Sequence, residues 1–309
     1  MRIVISEFMD EAAVDDLRRD FDVVYDPGLV DRPDDLCDAL IGADALIVRN
    51  RTQVRGAVLN AAETVRVIGR LGVGLDNIDL DGCAARGIEV RPATGANDLA
   101  VAEYAVAAAM SLLRGAYDAR QAMIAGEWPR TRLMGRESAG KRFGLVGFGA
   151  IARETARLAR GLGFSLAAHD PFVPADAPEW EGVDNLSLAD LAGGCDVVSL
   201  HVPLTDGTRH LVDAAFLSGM KPGAVLINAA RGGVVDEAAL ADALRAGRLG
   251  GAALDVFETE PLTAEAAAKF DGLPNLILTP HIAGVTVESN VRVSSATARA
   301  VREVLSKIL

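Results

Sequence analysis

Short apolar runs alternate with amphipathic stretches along the first part of the sequence. The runs predict strands and the stretches between them predict helices: strands at Arg2–Ile5, Val23–Tyr25, Ala45–Val48 and Val67–Leu71, and helices near Asp10–Arg19 and Asp34–Leu40. Such alternation is typical of a parallel α/β sheet.

A second series of the same kind begins near the middle of the chain. It predicts strands at Phe143–Gly147, Ser165–His169, Val197–His201, Ala224–Asn228, Ala252–Val256 and Leu276–Leu278. Because these runs are continuously apolar, both faces of each strand must be covered. The sequence therefore predicts an α/β fold with two doubly wound parallel-sheet domains.

Two further helical patterns set the expected domain boundaries. Asp98–Gly126 is rich in alanine and free of proline, so we predict one long helix that bridges the domains. The segment from Thr286 onward is also helical and is expected to return to the first domain. Residues 1–96 plus 286–309 would then form a discontinuous first domain, and residues 97–285 an inserted second domain.

Composition narrows the class of protein. The 309 residues are 50% hydrophobic with a net charge of −12, which indicates a globular protein and argues against a nucleic-acid partner. The three cysteines are too far apart to suggest a disulfide framework or a zinc site. We expect Met1–Ile5 to form a strand instead of a leader, and Leu99–Leu113 to be too short to span a membrane. We expect a cytoplasmic protein without a metal whose partner is a small molecule.

A dinucleotide fingerprint follows the strand at Phe143. Gly147 permits a tight turn, Gly149 lets the main chain approach a pyrophosphate, and the small Ala152 allows close packing between helix and strand. Asp170 ends the next strand, 23 residues after Gly147, where an acid binds the ribose hydroxyls. Its charge would repel a 2′-phosphate, which favours NAD over NADP. The alternative is that Asp170 only caps the turn before Pro171.

Candidate proton-transfer groups are few. Of the four histidines, His281 follows the strand at Leu276 and His201 ends the strand at Val197, and these are the positions where a general acid or base is expected. His201 could equally line the cofactor pocket.

Several motifs in order resemble one known family. They are Val48–Thr52, Arg70–Asp79, Asn97 with Val101–Glu103, Asn228–Asp236, Leu254–Leu262 and Thr279–His281. Together they resemble the D-isomer-specific 2-hydroxyacid dehydrogenases, which include phosphoglycerate dehydrogenase. The resemblance covers nearly the whole chain and implies a Rossmann NAD-binding domain inserted in a flavodoxin-like substrate domain.

The resemblance also implies a role for individual residues. Arg231 would bind the substrate carboxylate with its planar fork, and His281 would exchange a proton with the substrate oxygen. Glu260 would bind the imidazole and favour its charged form. Main-chain groups of Val73 and Gly74 would bind substrate oxygens, with Arg49 and Asn97 nearby. The expected NAD-binding residues are Gly147, Gly149, Ala150, Ile151, Asp170, His201, Pro203, Thr208, Ala229, Asp255 and Ala283. Arg49 could instead pair with an acidic neighbour, Glu260 could be a solvated carboxylate, and Asp255 could simply end a strand.

A basic segment offers one hint about the acid. Gly126–Arg142 holds five basic residues against two acidic ones, so it could clamp a second anionic group of the substrate, as in 3-phosphoglycerate or 3-sulfolactate. The first residues and this segment are also similar to sulfolactate dehydrogenases within the family. A merely solvated linker is the alternative, and glyoxylate, hydroxypyruvate and D-lactate stay open as substrates.

The resemblance further implies a homodimer that pairs through the cofactor domain, with Asp98–Gly126 as a possible seam. Intramolecular packing alone would also explain that helix. The alternative from another class of protein is an NAD-sensing corepressor, because related chains with the same fold have this function.

Overall fold

The computed structural model describes residues 1–117 and 119–307. Its strands are β1 (Arg2–Ile5), β2 (Asp22–Tyr25), β3 (Ala45–Val48), β4 (Val67–Arg70), β5 (Glu89–Pro92), β6 (Arg142–Val146), β7 (Ser165–His169), β8 (Asp184–Asn185), β9 (Val197–Leu200), β10 (Val225–Asn228), β11 (Gly251–Leu254) and β12 (Leu276–Leu278). Its α-helices are α1 (Glu11–Arg18), α2 (Pro33–Leu40), α3 (Gly56–Ala61), α4 (Leu80–Ala85), α5 (Asp98–Arg114), α6 (Arg120–Ile124), α7 (Ala150–Gly161), α8 (Leu188–Gly194), α9 (Ala214–Gly219), α10 (Glu237–Arg245), α11 (Ala264–Ala267) and α12 (Val287–Ser306).

The chain forms two compact units. The first consists of Met1–Asn97 and Val285–Leu309, and the second of Asp98–Gly284. Residue 118, within the predicted bridging helix, and residues 308 and 309, within the predicted first domain, lie outside the described residues.

The first unit contains a parallel sheet in the order β2-β1-β3-β4-β5. This is the flavodoxin-like order, as expected from the resemblance. Helix α12 begins after Thr286, whose side chain accepts a hydrogen bond from the Ser289 amide. It packs closely on β4, because a Cβ at Gly69 would lie 2.7 Å from side-chain carbons of Thr297 and Val301. The last helix is therefore part of the first unit.

The second unit contains a parallel sheet in the order β12-β11-β10-β9-β6-β7-β8. The strand order reverses between β6 and β9, and a dinucleotide binds at the carboxyl ends of strands at such a point. On one face, α5 and α7 pack together through buried small residues such as Ala105, Ala109, Ala152 and Ala156. Small side chains at this contact let the fingerprint helix lie close to the sheet. The prediction of two parallel α/β domains is confirmed.

The predicted bridging helix is wrong in its length. Helix α5 ends at Arg114, because Gly115 adopts the left-handed conformation with φ of +58° that terminates helices. Helix α5 packs on α7, β10 and β11, all of the second unit. Its hydrophobic residues are explained by burial in that unit.

Candidate active site

The fingerprint turn has the geometry that its glycines predict. Gly147 follows β6 with φ of +87°, and a Cβ there would lie 2.6 Å from the carbonyl oxygen of His201. Gly149 is the N-cap residue of α7, and a Cβ there would meet no described atom within 4 Å. A side chain at position 147 would thus collide with the main chain at His201, so this position requires glycine. The space at Gly149 is open, and an anionic ligand could approach the helix N-terminus there. Ala150 and Ile151 are the first two residues of α7.

Asp170 lies directly after β7, beside the fingerprint. Its Oδ2 accepts a hydrogen bond from the Phe148 amide at 2.8 Å, and its Oδ1 accepts one from the Phe172 amide at 2.9 Å. A carboxylate oxygen has two lone pairs, so each can still accept a ribose hydroxyl. The residue both caps its own turn and meets the requirements of a ribose ligand. The turn therefore fits NAD.

His281 and Glu260 form a direct pair. His281 Nδ1 lies 2.8 Å from Glu260 Oε2, and Glu260 Oε1 accepts the Phe257 amide at 2.9 Å. Burial raises the pKa of Glu260, but hydrogen bonds from His281 and the Phe257 amide, assisted by nearby positive charge, bring the pKa below its ordinary value. The carboxylate is therefore ionised near neutrality and can only accept. Nδ1 must donate to it, which leaves Nε2 as the ring nitrogen that can exchange a proton with a substrate.

Arg231 lies in the loop after β10, which the buried Asn228 side chain shapes. Asn228 Oδ1 accepts the Ala230 amide at 3.1 Å, and its amide nitrogen donates to the Arg231 carbonyl at 3.0 Å. The Arg231 charge contributes to the low pKa of Glu260. A Cβ at Gly232 would lie 1.7 Å from the Phe257 carbonyl oxygen, so the loops after β10 and β11 touch. The structure brings the three predicted catalytic residues together at the carboxyl edge of neighbouring strands.

Asp255 organises the loop that carries His281. It is 1% exposed, and its carboxylate accepts hydrogen bonds from Thr279 Oγ1 at 2.6 Å and from the amides of Ile282 and Ala283 at 2.8 Å. The Tyr104 hydroxyl, on α5, lies 2.6 Å from Thr279 Oγ1. These contacts hold His281 in the left-handed region at φ of +55°, which is uncommon for a residue other than glycine.

The sequence motifs predict no role for Tyr104 or Thr279. Thr279 directly precedes Pro280 and His281, and that adjacency was the available signal. Tyr104 could not be found in this way, because it lies 175 residues earlier in an apolar helix.

His201 directly follows β9, and its Nε2 lies 3.0 Å from Ser199 Oγ. Burial lowers its pKa to about 4, so it is neutral at physiological pH. In the loop that follows, the Thr208 hydroxyl donates to the Pro203 carbonyl at 2.6 Å. Ala229 lies just after β10. These residues surround the carboxyl end of β9 and β10, which is the expected cofactor edge.

The predicted substrate residues belong to the first unit. Arg49 follows β3, Val73 and Gly74 lie in the loop after β4, and Asn97 comes after β5. Parallel strands bring these loops to one edge of the first sheet. The Oδ1 atom of Asn97 is buried and has no hydrogen-bond partner among the described residues.

The anion clamp predicted in Gly126–Arg142 is wrong for its last three basic residues. Arg136 donates to the Gly223 carbonyl, which precedes β10, at 2.7 Å, while Arg142 starts β6 and pairs with Asp184. Lys141 precedes β6. These side chains lie at the amino edge of the second sheet, opposite Gly147, Arg231 and His281. Earlier in the segment, Arg132 lies 3.9 Å from Glu127.

In the described part of the chain, no group of three or more histidine, cysteine, aspartate or glutamate side chains is arranged to hold a metal ion. Within residues 1–117 and 119–307, no helix is both long enough and apolar enough to cross a membrane.

A Rossmann unit with a histidine–carboxylate pair and an arginine at the cofactor edge defines a nicotinamide-dependent dehydrogenase. Residues 106–283 match the family described as "D-isomer specific 2-hydroxyacid dehydrogenase, NAD binding domain". The chain belongs to this family of NAD-dependent oxidoreductases. The predicted family and the predicted cofactor, NAD, are confirmed.

Individual relatives agree with this assignment. The chain is 55% identical to a (S)-sulfolactate dehydrogenase of Chromohalobacter salexigens over 98% of both chains. It is 40% identical to the chloroplastic D-3-phosphoglycerate dehydrogenase 2 of Arabidopsis thaliana over 97% of this chain and 48% of that one. The chain thus spans about half the length of that relative. A crystal structure of a glyoxylate reductase from Paecilomyes thermophila superposes with a TM-score of 0.87 at 28% identity, over 99% of this chain and 96% of that one.

Proposed function

We propose that this chain interconverts (S)-sulfolactate and sulfopyruvate with NAD(H). The observation that supports the substrate is the 55% identity to a (S)-sulfolactate dehydrogenase along 98% of both chains. The acid carries a carboxylate, a hydroxyl at C2 and a sulfonate at C3. Because the sulfur-bearing carbon outranks the carboxyl carbon in the naming rules, the S form has the D arrangement, and the acid is a D-configured 2-hydroxy acid with a second anionic group.

The second unit carries out the chemistry. NAD, when bound, supplies the acceptor for the hydride that leaves C2 of the acid. His281 Nε2 takes the proton of the C2 hydroxyl, and the ionised Glu260 stabilises the resulting imidazolium through Nδ1. In the reverse direction the same imidazolium returns the proton to the oxygen. Arg231 binds the carboxylate with its planar fork and orients C2.

Cofactor binding follows from the turn after β6. Main-chain amides at Gly149, Ala150 and Ile151 bind the phosphates at the start of α7, and Asp170 binds the ribose hydroxyls. His201, Pro203, Thr208, Ala229 and Ala283 line the remaining cofactor edge. Asp255 contributes there by fixing the loop of His281.

The first unit binds the acid. Val73 and Gly74 donate main-chain amides to its oxygens, and Asn97 and Arg49 complete the anion site. Arg49 takes the place of Arg136, Lys141 and Arg142 as the expected partner of an acid group, since those three residues lie at the amino edge of the second sheet.

Oxidation of resolved acids tests the substrate and its configuration. NADH formation is followed at 340 nm with (S)- and (R)-sulfolactate at equal concentration. The proposal predicts turnover of the S form, which has the D arrangement, and at least hundredfold slower turnover of the R form, since C2 would present the wrong face. Turnover of neither form while D-3-phosphoglycerate is oxidised would establish the runner-up function, which the phosphoglycerate dehydrogenase relatives favour.

The active form is a homodimer located in the cytoplasm. The support for pairing lies in the segment after α5, where Tyr117, Ile124, Trp128 and Met134 are each more than 70% exposed. Large apolar side chains grouped in this way mark interaction surfaces. Sedimentation at micromolar concentration is expected to give a dimer, and Trp128→Ser with Met134→Ser is expected to shift it toward monomer. A monomeric wild-type protein would contradict this.

A further inference from the structure

Glu7 is a buried carboxylate that follows β1, separated from its last residue, Ile5, by Ser6. It is 4% exposed, yet it lies in no sequence motif that was assigned a role. Its Oε1 accepts hydrogen bonds from the amides of Arg49 and Thr52, both at 2.9 Å, and its Oε2 accepts one from the Arg51 amide at 3.2 Å. One side chain thus binds three main-chain donors of the loop that follows β3.

The opposite side of this loop is held by Asn77. Its side-chain nitrogen donates to the carbonyls of Thr52 at 2.7 Å and Arg49 at 3.2 Å, and the side chain is 6% exposed. The Ser6 and Thr52 hydroxyls lie 3.0 Å apart. Buried polar groups are costly unless they are satisfied, so this cluster fixes one conformation of residues 49–52.

The Arg49 side chain is fixed as well. Its Nη2 donates to Asn290 Oδ1, on the first turn of α12, and its guanidinium lies 5.9 Å from the centre of the Phe8 ring. Burial lowers the pKa of Arg49, and the negative charge of Glu7 opposes this effect. An arginine guanidinium stays protonated in proteins, so Arg49 is a charged group partly removed from water, a state in which it attracts an anion more strongly.

We propose that Glu7 and Asn290 are positioning residues that set the affinity for the acid through Arg49. Glu7 holds the main chain of Arg49, and Asn290 holds the guanidinium of Arg49. The inference rests on the proposed role of Arg49 in binding an anionic group of the substrate. Neither residue needs to touch the acid. The three-bond carboxylate cradle around residues 49–52 is the observation that carries it.

The first test is Glu7→Gln, measured by steady-state kinetics of sulfopyruvate reduction, or of phosphohydroxypyruvate reduction if that acid is the better substrate. Glutamine keeps the size of the side chain but turns an N–H toward a main-chain donor. We expect a rise in KM for the acid of about tenfold, the effect of one unsatisfied buried group, with kcat changed less than threefold. The Kd of NADH should stay unchanged. Glu63→Gln, an exposed glutamate of the same unit, is the matched control and should alter neither constant.

A double-mutant cycle separates the two assignments. Arg49→Ala alone should raise KM, and Glu7→Gln should then add no more than twofold in the Arg49→Ala background. An unchanged KM in Arg49→Ala overturns the proposed role of Arg49. A raised KM in Arg49→Ala combined with a multiplicative effect of Glu7→Gln, or with a fall in kcat alone, overturns the positioning role of Glu7.

Asn290→Ala provides an independent arm if Glu7→Gln does not fold, because alanine suits the helix. It should raise KM about threefold, the weight of a hydrogen bond to a charged group at a partly exposed site, and lose this effect in the Arg49→Ala background. An unchanged KM in Asn290→Ala overturns the inference.

Discussion

The Glu260 carboxylate accepts the imidazole Nδ1–H of His281 across 2.8 Å and the main-chain amide of Phe257 on its other oxygen. The Phe257 amide thus fixes the carboxylate of Glu260, and the fixed carboxylate orients the imidazole of His281. In the proposed reaction this pair is the proton-transfer device, and Arg231 is its positively charged neighbour. The first predictions concern these groups.

His281→Ala should lower kcat by about 10²-fold or more, the usual weight of a general acid or base. The Kd of NADH, measured by fluorescence titration, should change little, because the fingerprint and Asp170 bind most of the cofactor. Turnover close to that of the wild type would show that another group transfers the proton.

Arg231→Lys should reduce kcat/KM by at least tenfold, although the charge is retained. A lysine presents a point charge, whereas the carboxylate is expected to bind the two parallel N–H groups of the guanidinium fork. Steady-state reduction of the best 2-oxo acid measures the effect. Arg245→Lys, at an exposed pair with Asp242 on α10, is the control and should behave like wild type.

Asp255→Asn should impair both stability and turnover. The amide would direct an N–H toward one of three donors, at a cost of about 1–3 kcal/mol in the free energy of unfolding. Because these donors belong to the His281 loop, kcat should fall about tenfold or more, as expected when a catalytic group is misplaced. Asp242→Asn serves as the surface control in urea unfolding and in kinetics. A stable, fully active Asp255→Asn protein would contradict the role given to Asp255.

The low pKa of His201 predicts a pH dependence of stability. Its pKa is about 4 in the folded chain against an ordinary value of 6.5, so between these values the unfolded state binds one more proton. Stability should therefore fall as pH drops from 6.5 toward 4, by at most about 1.4 kcal/mol per pH unit from this group. Urea unfolding of the wild type and His201→Gln at pH 7 and pH 5 measures the difference. Equal pH slopes for the two proteins would show that His201 titrates normally.

Asp170→Ala should weaken NADH binding about tenfold, since hydrogen bonds from the ribose to a charged acceptor are lost. NADPH should gain relative to NADH, because the repulsion of its 2′-phosphate disappears. Fluorescence titration with both cofactors provides the test. An unchanged preference would leave Asp170 with only its bonds to the Phe148 and Phe172 amides.

Apolar periodicity was enough to predict most of the sheet structure. The predicted strands at Ser165–His169 and Leu276–Leu278 match β7 and β12 residue for residue. Strand β5, Glu89–Pro92, was not predicted, because it lies at the sheet edge and carries charged side chains that hide an apolar pattern. The predicted length of α5 was too great. Gly115 ends the helix, but the alanines beyond Gly115 still give the sequence a helical pattern.

Some residues of the candidate site could likewise be predicted from the sequence, and others could not. Gly147, Gly149 and Asp170 could be predicted because a ligand imposes their spacing on a short stretch of chain. The hydrogen bonds of Glu7 to residues 49–52 and the hydrogen bond between Tyr104 and Thr279 could not be predicted. They join residues that are far apart in sequence and that meet only through the fold. Arg136, Lys141 and Arg142 were wrongly included in the predicted clamp for a related reason: charge in the sequence does not reveal at which edge of the sheet a residue lies.

The most direct test of the account is the ratio of kcat/KM values for NADH-dependent reduction of sulfopyruvate, phosphohydroxypyruvate, hydroxypyruvate, glyoxylate and pyruvate under identical conditions. We predict the highest kcat/KM for sulfopyruvate, by at least tenfold over the others, and its loss in His281→Ala. A protein that binds NADH but reduces none of these acids would contradict the account, and so would one that prefers phosphohydroxypyruvate.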